Sequence, residues 1–137
     1  YSDPPAKFEA GTPSVADAVG LHAAIDYVTT LGWPAIMHHE HQLLEYGTAR
    51  LQEIPGLQLI GQARQKVGVL SFVLPGRTPA EIGKFLDHAG IAVRAGHHCA
   101  QPSLRRFGLE ATVRPSLAIY NTTVDIDRLA DTLHRIR

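Results

Sequence analysis

The stretch Val67–Arg94, VGVLSFVLPGRTPAEIGKFLDHAGIAVR, decides the fold class of this chain. Apolar side chains alternate along Val67–Leu74, which is typical of a strand. The motif Thr78–Glu81 is a capping box with proline at the first helical position, and it predicts a helix that closes at Gly90. Ile91–Arg94 then predicts a second, short strand. Strand, helix and strand therefore follow one another within a single stretch.

The flanking sequence predicts further helices and strands without a regular strand–helix alternation. The predicted helices run from Ser14 to the residue before Gly32, from Pro34 to about Glu53, over Ser103–Phe107, and onward from a cap at Thr122. The additional predicted strands are Leu57–Gly61 and Thr112–Tyr120. This mixture predicts an α+β domain, in which a small, mainly antiparallel sheet of three to four strands packs with helices.

The composition excludes several classes of partner. The chain has 137 residues, 45% of them hydrophobic and 19% charged, which is enough for one substantial core. Thirteen basic residues balance thirteen acidic ones, so no net field attracts nucleic acid. No apolar run has the length of a membrane span, and a single cysteine suits a reducing compartment. We therefore expect a cytoplasmic location and neither a nucleic-acid nor a membrane partner.

The first residues differ in character from the rest. The turn-rich run Tyr1–Pro13 resembles a segment that leaves another structure, and it suggests a fragment of a longer polypeptide. We therefore divide the chain into a linking arm, residues 1–14, and a domain, residues 15–137.

Cys99 is the only cysteine, so it cannot form an intramolecular disulfide. It is either a buried apolar side chain or a reactive thiol. Two histidines precede it, and Pro102 follows where a short helix could begin. A thiol ahead of a helix N-terminus and near cations ionises readily, and the thiolate is the nucleophile. The surroundings favour the reactive thiol.

Two histidine-rich runs are candidate metal sites, and neither has suitable spacing. In His38–His41 only the first and last histidines lie on one helix face, and the run lacks the His-Glu-x-x-His pattern of zinc proteases. In His97–Cys99 the three potential ligands are adjacent, and adjacent side chains rarely turn toward one ion. We predict no metal site.

Arg114 lies within a predicted strand among apolar residues, where an unpaired charge is costly. It either forms an ion pair with a nearby acid or binds a carboxylate through both prongs of its guanidinium. Pro115 beside it lacks a backbone N–H and indicates a strand edge or a bulge that opens toward a site.

Three of these segments resemble one family. Arg94–Ala100 (RAGHHCA) resembles the motif around the persulfide-forming cysteine of group II (Suf-type) cysteine desulfurases, pyridoxal 5'-phosphate (PLP) enzymes of the class V aminotransferase superfamily. Phe8–Pro13 resembles the segment that leads into the C-terminal region of these enzymes, and Arg114–Thr122 resembles the strand with the substrate-carboxylate arginine. Ala95 and Pro115 depart from the family pattern, where Thr or Val, and Ala, are expected.

The resemblance implies the small C-terminal domain of a fold-type I PLP enzyme. In such enzymes the cofactor ring is the electron sink for substrate L-cysteine, and the enzyme thiolate takes the sulfur as a persulfide while L-alanine is released. By this resemblance Cys99 is the nucleophile and Arg114 holds the substrate carboxylate. Arg94, His97 and His98 line the loop and tune it.

The resemblance also implies how PLP is held in the full-length homodimer. Gly11 and Thr12 resemble residues that reach the partner's cofactor phosphate across the dimer interface. The Schiff-base lysine of the family lies in the large domain. Lys7, Lys66 and Lys84 are the lysines of this chain, and none stands in the family's lysine motif.

Three functions remain open at this point. The parent protein is a cysteine desulfurase that passes sulfur to an acceptor protein for iron–sulfur cluster assembly, or it is a related selenocysteine lyase or cysteine sulfinate desulfinase. Alternatively, the chain is a non-enzymatic persulfide carrier or dimerisation module.

Overall fold

A four-stranded antiparallel sheet organises the fold. The computed structural model describes residues 2–136. Its strands are β1 (Gln58–Leu59), β2 (Phe72–Val73), β3 (Arg94–Gly96) and β4 (Thr112–Arg114), in the order β1-β2-β4-β3. All three pairings are antiparallel, which confirms the predicted α+β class and its mainly antiparallel sheet.

Five helices accompany the sheet: α1 (Val15–Leu31), α2 (Trp33–Gln52), α3 (Pro79–His88), α4 (Gln101–Arg106) and α5 (Thr123–His134). A single 3-10 turn, Ala6–Phe8, lies within the predicted arm and was not expected. The helices match the predicted ones within a few residues. The largest shift is at α4, which begins at Gln101 rather than Ser103.

Two of the predicted strands, Val67–Leu74 and Thr112–Tyr120, are longer than the strands observed. Val67–Leu74 contributes only β2, and Thr112–Tyr120 contributes only β4, because Pro115 has no N–H for the ladder. The pairing continues irregularly beyond it: the Leu70 N–H donates to the Pro115 carbonyl at 3.1 Å, and Val69 forms an isolated bridge with Ser116.

The predicted strand Ile91–Arg94 is displaced toward the Cys99 loop. The Ile91 N–H still donates to the Leu86 carbonyl at 2.9 Å, so residue 91 completes the C-terminal cap of α3. Gly90, with φ 72°, supplies the left-handed residue that this cap requires. Strand β3 therefore starts only at Arg94 and runs to Gly96.

Helices α3 and α5 begin with their predicted carboxylate caps. The Thr78 N–H donates to Glu81 Oε2 at 2.7 Å, and the Thr122 N–H donates to Asp125 Oδ2 at 2.8 Å. These backbone hydrogen bonds are the main cause that lowers the pKa of both carboxyl groups. The expected cap at Ser14 is different, because its side chain makes no capping hydrogen bond.

The core lies between the sheet and the amphipathic faces of α2, α3 and α5. Its largest fully buried apolar side chains are Phe72, Leu51, Leu70, Ile82, Leu86, Ile126, Leu133 and Val113. Among the described residues, no helix combines the length and apolarity needed to span a bilayer.

The chain divides into two compact units, one up to Ile36 and one from Met37 onward. Helix α1 of the first unit has no buried side chain, and Val15, Val19, Leu21 and Ile25 are exposed. The division into an arm of residues 1–14 and a domain of residues 15–137 stays a prediction.

Candidate functional site

The Cys99 loop, residues 97–100, connects strand β3 to helix α4. Strand β3 is fixed on one side by its ladder with β4, in which Gly96 faces Thr112. Helix α3 approaches β3 closely, because a Cβ added to Gly83 would lie 3.0 Å from the Ala95 Cβ. The small Ala95, one of the two departures from the family pattern, therefore sits at a tight helix–strand contact.

The backbone of this loop is strained. His98 and Cys99 adopt φ 56° and 54°, and they are the only non-glycine residues with positive φ in the part of the chain that the structure describes. A left-handed non-glycine residue costs about 1–3 kcal/mol and is typical of functional sites. Gly96, with φ 144°, prepares the turn. The turn leaves Cys99 exposed, which rules out the buried apolar alternative.

His97 closes the turn with its ring and its backbone. Its Nδ1 atom accepts a hydrogen bond from the Cys99 N–H at 3.0 Å, and its carbonyl accepts one from the Ala100 N–H at 2.9 Å. The first of these bonds requires an unprotonated Nδ1. His97 therefore supports the backbone on which the thiol is carried.

His98 faces the sheet. Its Nε2 lies 3.1 Å from the Thr112 carbonyl and 3.0 Å from Thr112 Oγ1. Because a carbonyl only accepts, Nε2 carries the proton. Burial is the main cause that lowers the His98 pKa, the positive charges of Arg114 and Arg94 lower it further, and the backbone acceptor of Thr112 opposes them. Its Nδ1 is buried and has no hydrogen-bond partner among the described residues.

Arg94 and Arg114 lie directly opposite each other in the β3–β4 ladder. Like charges in this position are destabilising unless an anion lies near them. The ion pairs found among residues 2–136 include neither arginine, so this part of the chain supplies no partner for the ion-pair alternative at Arg114. The Arg114 Nε is buried and lacks a described hydrogen-bond partner. The two guanidinium groups are therefore suited to an external carboxylate.

The three lysines of this chain are not placed as an anchor for PLP. Lys7 and Lys84 are exposed, and the Lys66 Nζ donates to the Gly61 carbonyl at 3.5 Å, so no lysine is held as an enclosed cofactor anchor. Gly11 and Thr12 lie in an exposed segment before α1, and space is open around Gly11. Their expected contact with a cofactor phosphate stays a prediction.

The His38–His41 run lies on α2, and two of its histidines have other partners. The His39 Nε2 donates to the Asn121 carbonyl at 3.0 Å, and the His41 Nε2 lies 3.3 Å from Glu45 Oε1. Within residues 2–136, no group of three or more His, Cys, Asp or Glu side chains is arranged to hold a metal ion.

A groove on the second unit is separate from the Cys99 loop. It has a volume of about 1000 Å³ and lies between α2 and residues 63–68, with Met37, His41, Leu44, Arg64 and Val67 among its lining residues. No residue of the Cys99 loop lines it. The candidate site residues therefore lie outside this groove.

Sequence reasoning missed Thr112 and Ser71. Thr112 is fully buried and holds His98, and the Ser71 Oγ donates to Thr112 Oγ1 at 2.7 Å. A threonine in a strand has no distinctive sequence signal, because β-branched residues are common there. Pairing Thr112 with residue 98 depends on the β3–β4 register, which the sequence did not fix.

The chain is similar to members of one protein family. The profile of the "Aminotransferase class-V" family matches residues 1–129. The chain is 61% identical to a cysteine desulfurase of Synechococcus elongatus over 137 residues, which are all of this chain and 22% of that protein.

Two solved structures are also similar. The apo cysteine desulfurase of Thermococcus onnurineus NA1 superimposes with a TM-score of 0.90 at 35% identity, over 98% of this chain and 34% of that one. The cysteine desulfurase CsdA of Escherichia coli, in an S-sulfonic acid form, gives 0.87 at 34% identity, over 98% and 33%. The chain thus spans between about a fifth and a third of the relatives described, and with its family profile matched almost throughout, it belongs to the class-V aminotransferase family.

Proposed function

We propose that this chain is the C-terminal part of a PLP-dependent cysteine desulfurase of the group II (Suf) type. The full-length enzyme removes sulfur from L-cysteine, releases L-alanine and carries the sulfur as a persulfide on Cys99. One observation carries the proposal above the others: an exposed thiol on a strained turn stands at the end of β3, the strand whose Arg94 faces Arg114 across the ladder.

Arg114 binds the substrate carboxylate in this proposal. A guanidinium offers two parallel N–H donors to a carboxylate, and such charge-assisted pairs fix orientation as well as position. The half-buried Arg114 is set in the rigid ladder opposite Arg94, so the positive potential is in place before the substrate arrives. The exposed Arg94 adds charge at the start of the strand that leads to the loop.

Cys99 is the sulfur acceptor. PLP, when bound in the full-length enzyme, supplies the electron sink for chemistry at the substrate carbon. The Cys99 thiolate attacks the substrate sulfur, a sulfur–sulfur bond forms, and the electron pair of the broken carbon–sulfur bond stays with the carbon fragment that becomes alanine. Left-handed φ angles at His98 and Cys99 present the thiol outward, where a substrate and later an acceptor can reach it.

The remaining roles complete the proposal for the full-length enzyme. Gly11 and Thr12 contact the cofactor phosphate of the partner in a homodimer, through the backbone and hydroxyl donors that suit phosphate. The persulfide passes to a sulfur-acceptor protein, and the sulfur serves iron–sulfur cluster assembly in the cytoplasm. The name of the relative in Synechococcus elongatus supports the desulfurase activity.

The test compares Cys99→Ser with the parent full-length enzyme, both loaded with PLP. Because a hydroxyl is a far poorer nucleophile toward sulfur than a thiolate, alanine and sulfide production from L-cysteine should fall by orders of magnitude. The spectral change of the cofactor on mixing with L-cysteine should persist. Undiminished sulfide release by Cys99→Ser would overturn the proposal.

The same pair of enzymes separates the related activities. A selenium leaving group depends less on thiolate attack, so Cys99→Ser should lose less activity on selenocysteine than on cysteine. If the parent enzyme itself prefers selenocysteine or cysteine sulfinate over cysteine, the alternative activities replace the desulfurase assignment. A full-length protein without PLP-dependent turnover would instead be a persulfide carrier.

A further inference from the structure

Three hydrogen-bonded side chains, those of Ser71, Thr112 and His98, connect the interior of the sheet to the Cys99 loop. The Ser71 Oγ, just before β2, donates to Thr112 Oγ1 at 2.7 Å. Thr112 in β4 in turn holds the His98 Nε2 through its hydroxyl at 3.0 Å and its carbonyl at 3.1 Å. This series of hydrogen bonds starts at Ser71, next to a core strand, and ends at His98, beside the reactive cysteine.

This connection is the side-chain anchor of the strained turn. His98 and Cys99 are successive left-handed residues, and such a backbone persists only where surrounding contacts hold it. The His97 contacts lie within the loop itself, so they cannot fix the loop to the sheet. The His98–Thr112 contact joins the loop to β4, and it therefore fixes the loop to the sheet.

The central member, Thr112, is fully buried, and its position is fixed by the β-ladder. Buried polar groups that are hydrogen-bonded to one another specify a unique arrangement, since a change at one leaves the others unpaired. The carbonyl of Thr112 also decides which nitrogen of His98 carries the proton.

We propose that Thr112 and Ser71 are positioning residues for sulfur transfer, which act through His98 to hold the turn that carries Cys99. The inference rests on the proposed role of Cys99 as the sulfur acceptor. Two charged groups act on His98, Arg114 and Arg94 on the two strands, and both lower its pKa. The other titratable neighbour is His97 in the loop, whose Nδ1 accepts from the Cys99 N–H. Thr112 therefore holds a neutral ring with its proton on Nε2.

The test uses the full-length, PLP-loaded enzyme with Thr112→Val, which keeps the shape of the side chain and removes the hydroxyl. Hydrogen exchange of the Cys99 and Ala100 amides should become about tenfold faster, and kcat for sulfide release should fall about tenfold, since a buried hydrogen bond is lost. KM for cysteine should change by less than about twofold, because the carboxylate site is untouched. Thr112→Ser, which restores the hydroxyl, should recover both exchange and kcat.

Thr132→Val is the matched control. Thr132 on α5 is almost equally buried, and among the described residues its hydroxyl accepts from Arg135, the residue that follows α5, at 2.9 Å. It should leave loop exchange and kcat unchanged. Ser71→Ala, at a partly exposed position, should shift both readouts in the same direction as Thr112→Val by a smaller factor, and it provides the test if Thr112→Val does not fold.

The inference is overturned if Thr112→Val leaves either loop exchange or kcat unchanged, or if Thr132→Val changes them equally. Cys99→Ser separates this failure from failure of the proposed function. An active Cys99→Ser enzyme removes the proposed function, whereas an inactive Cys99→Ser beside an unaffected Thr112→Val removes only the positioning role.

Discussion

Helix α3 packs against β3, the strand that leads into the Cys99 loop, and the helix and the loop are held in opposite ways. The first turn of α3 satisfies its own backbone groups within four residues, through reciprocal contacts of Thr78 and Glu81. The loop depends on Thr112, fourteen residues away, and carries two left-handed residues. A helix whose first-turn hydrogen bonds are all local is suited to a scaffold role. A strained loop that is held by a residue distant in sequence is suited to a site that must expose a reactive atom.

Among the substitutions near the Cys99 loop, Arg114→Lys in β4 should have the largest effect on the kinetics of the full-length enzyme. A point-charge ammonium cannot reproduce a two-pronged contact, so we expect a loss of about 1.5–3 kcal/mol in cysteine binding. The measurement is KM and kcat for L-cysteine, and the expected change is mainly a higher KM. Arg77→Lys, at an exposed arginine, is the control. Unchanged kinetics in Arg114→Lys would leave this arginine without a role in substrate binding.

The helix side is tested by Thr78→Ala, which removes the α3 cap. We expect the free energy of opening of α3 to fall by about 1 kcal/mol, as for other N-cap deletions. Native-state hydrogen exchange of the α3 amides measures this, with Thr123→Ala, at an exposed and non-capping position in α5, as the control. If Thr78→Ala instead raised exchange mainly in the Cys99 loop, the two regions would not be independent.

These two regions also differ in how far the sequence predicted them. The α3 cap, the Gly90 stop and the apolar face follow from local rules, so Thr78–Gly90 was assigned correctly. Cys99, Arg94 and Arg114 were picked out by residue type and by resemblance. The structure pairs the strands of Arg94 and Arg114, and Cys99 lies in the loop that follows β3. Thr112, Ser71 and the left-handed turn were missed, because they depend on the register of β3 on β4, and strand register is set by long-range pairing.

Gly83→Ala lies where α3 contacts β3, the strand that leads into the Cys99 loop, and its net effect should be smaller still. Alanine favours the helix by about 1 kcal/mol over glycine, but its Cβ would lie 3.0 Å from the Ala95 Cβ, which cannot move without β3. We therefore expect little change in α3 opening and faster iodoacetamide labelling or hydrogen exchange at the Cys99 loop. Stabilisation of both regions would show that the contact can relax.

The two regions should lose protection in different pH windows. Because the folded-state pKa of His98 is lowered from 6.5, the unfolded loop binds a proton first, and the loop is destabilised as pH falls below about 6.5. The lowered pKa of Glu81 gives α3 a contribution that is present above its ordinary value of 4.5 and is lost below it. Protection factors from hydrogen exchange, corrected for intrinsic rates, measure both effects. His98→Gln should abolish the pH dependence of protection in the Cys99 loop, and Glu81→Gln should abolish that of α3. Loss of protection in both regions over the same pH range would contradict their independence.

The most direct test of Cys99 as the sulfur carrier is the mass of the Cys99 peptide after the full-length, PLP-loaded enzyme has reacted with one equivalent of L-cysteine. With no acceptor present, we predict that this peptide gains one sulfur atom, that the gain is removed by a reductant, and that alanine appears in equal amount. The Cys99→Ser enzyme should show no such gain. Alanine formation with the added sulfur on another residue, or with none on the enzyme, would contradict Cys99 as the sulfur carrier.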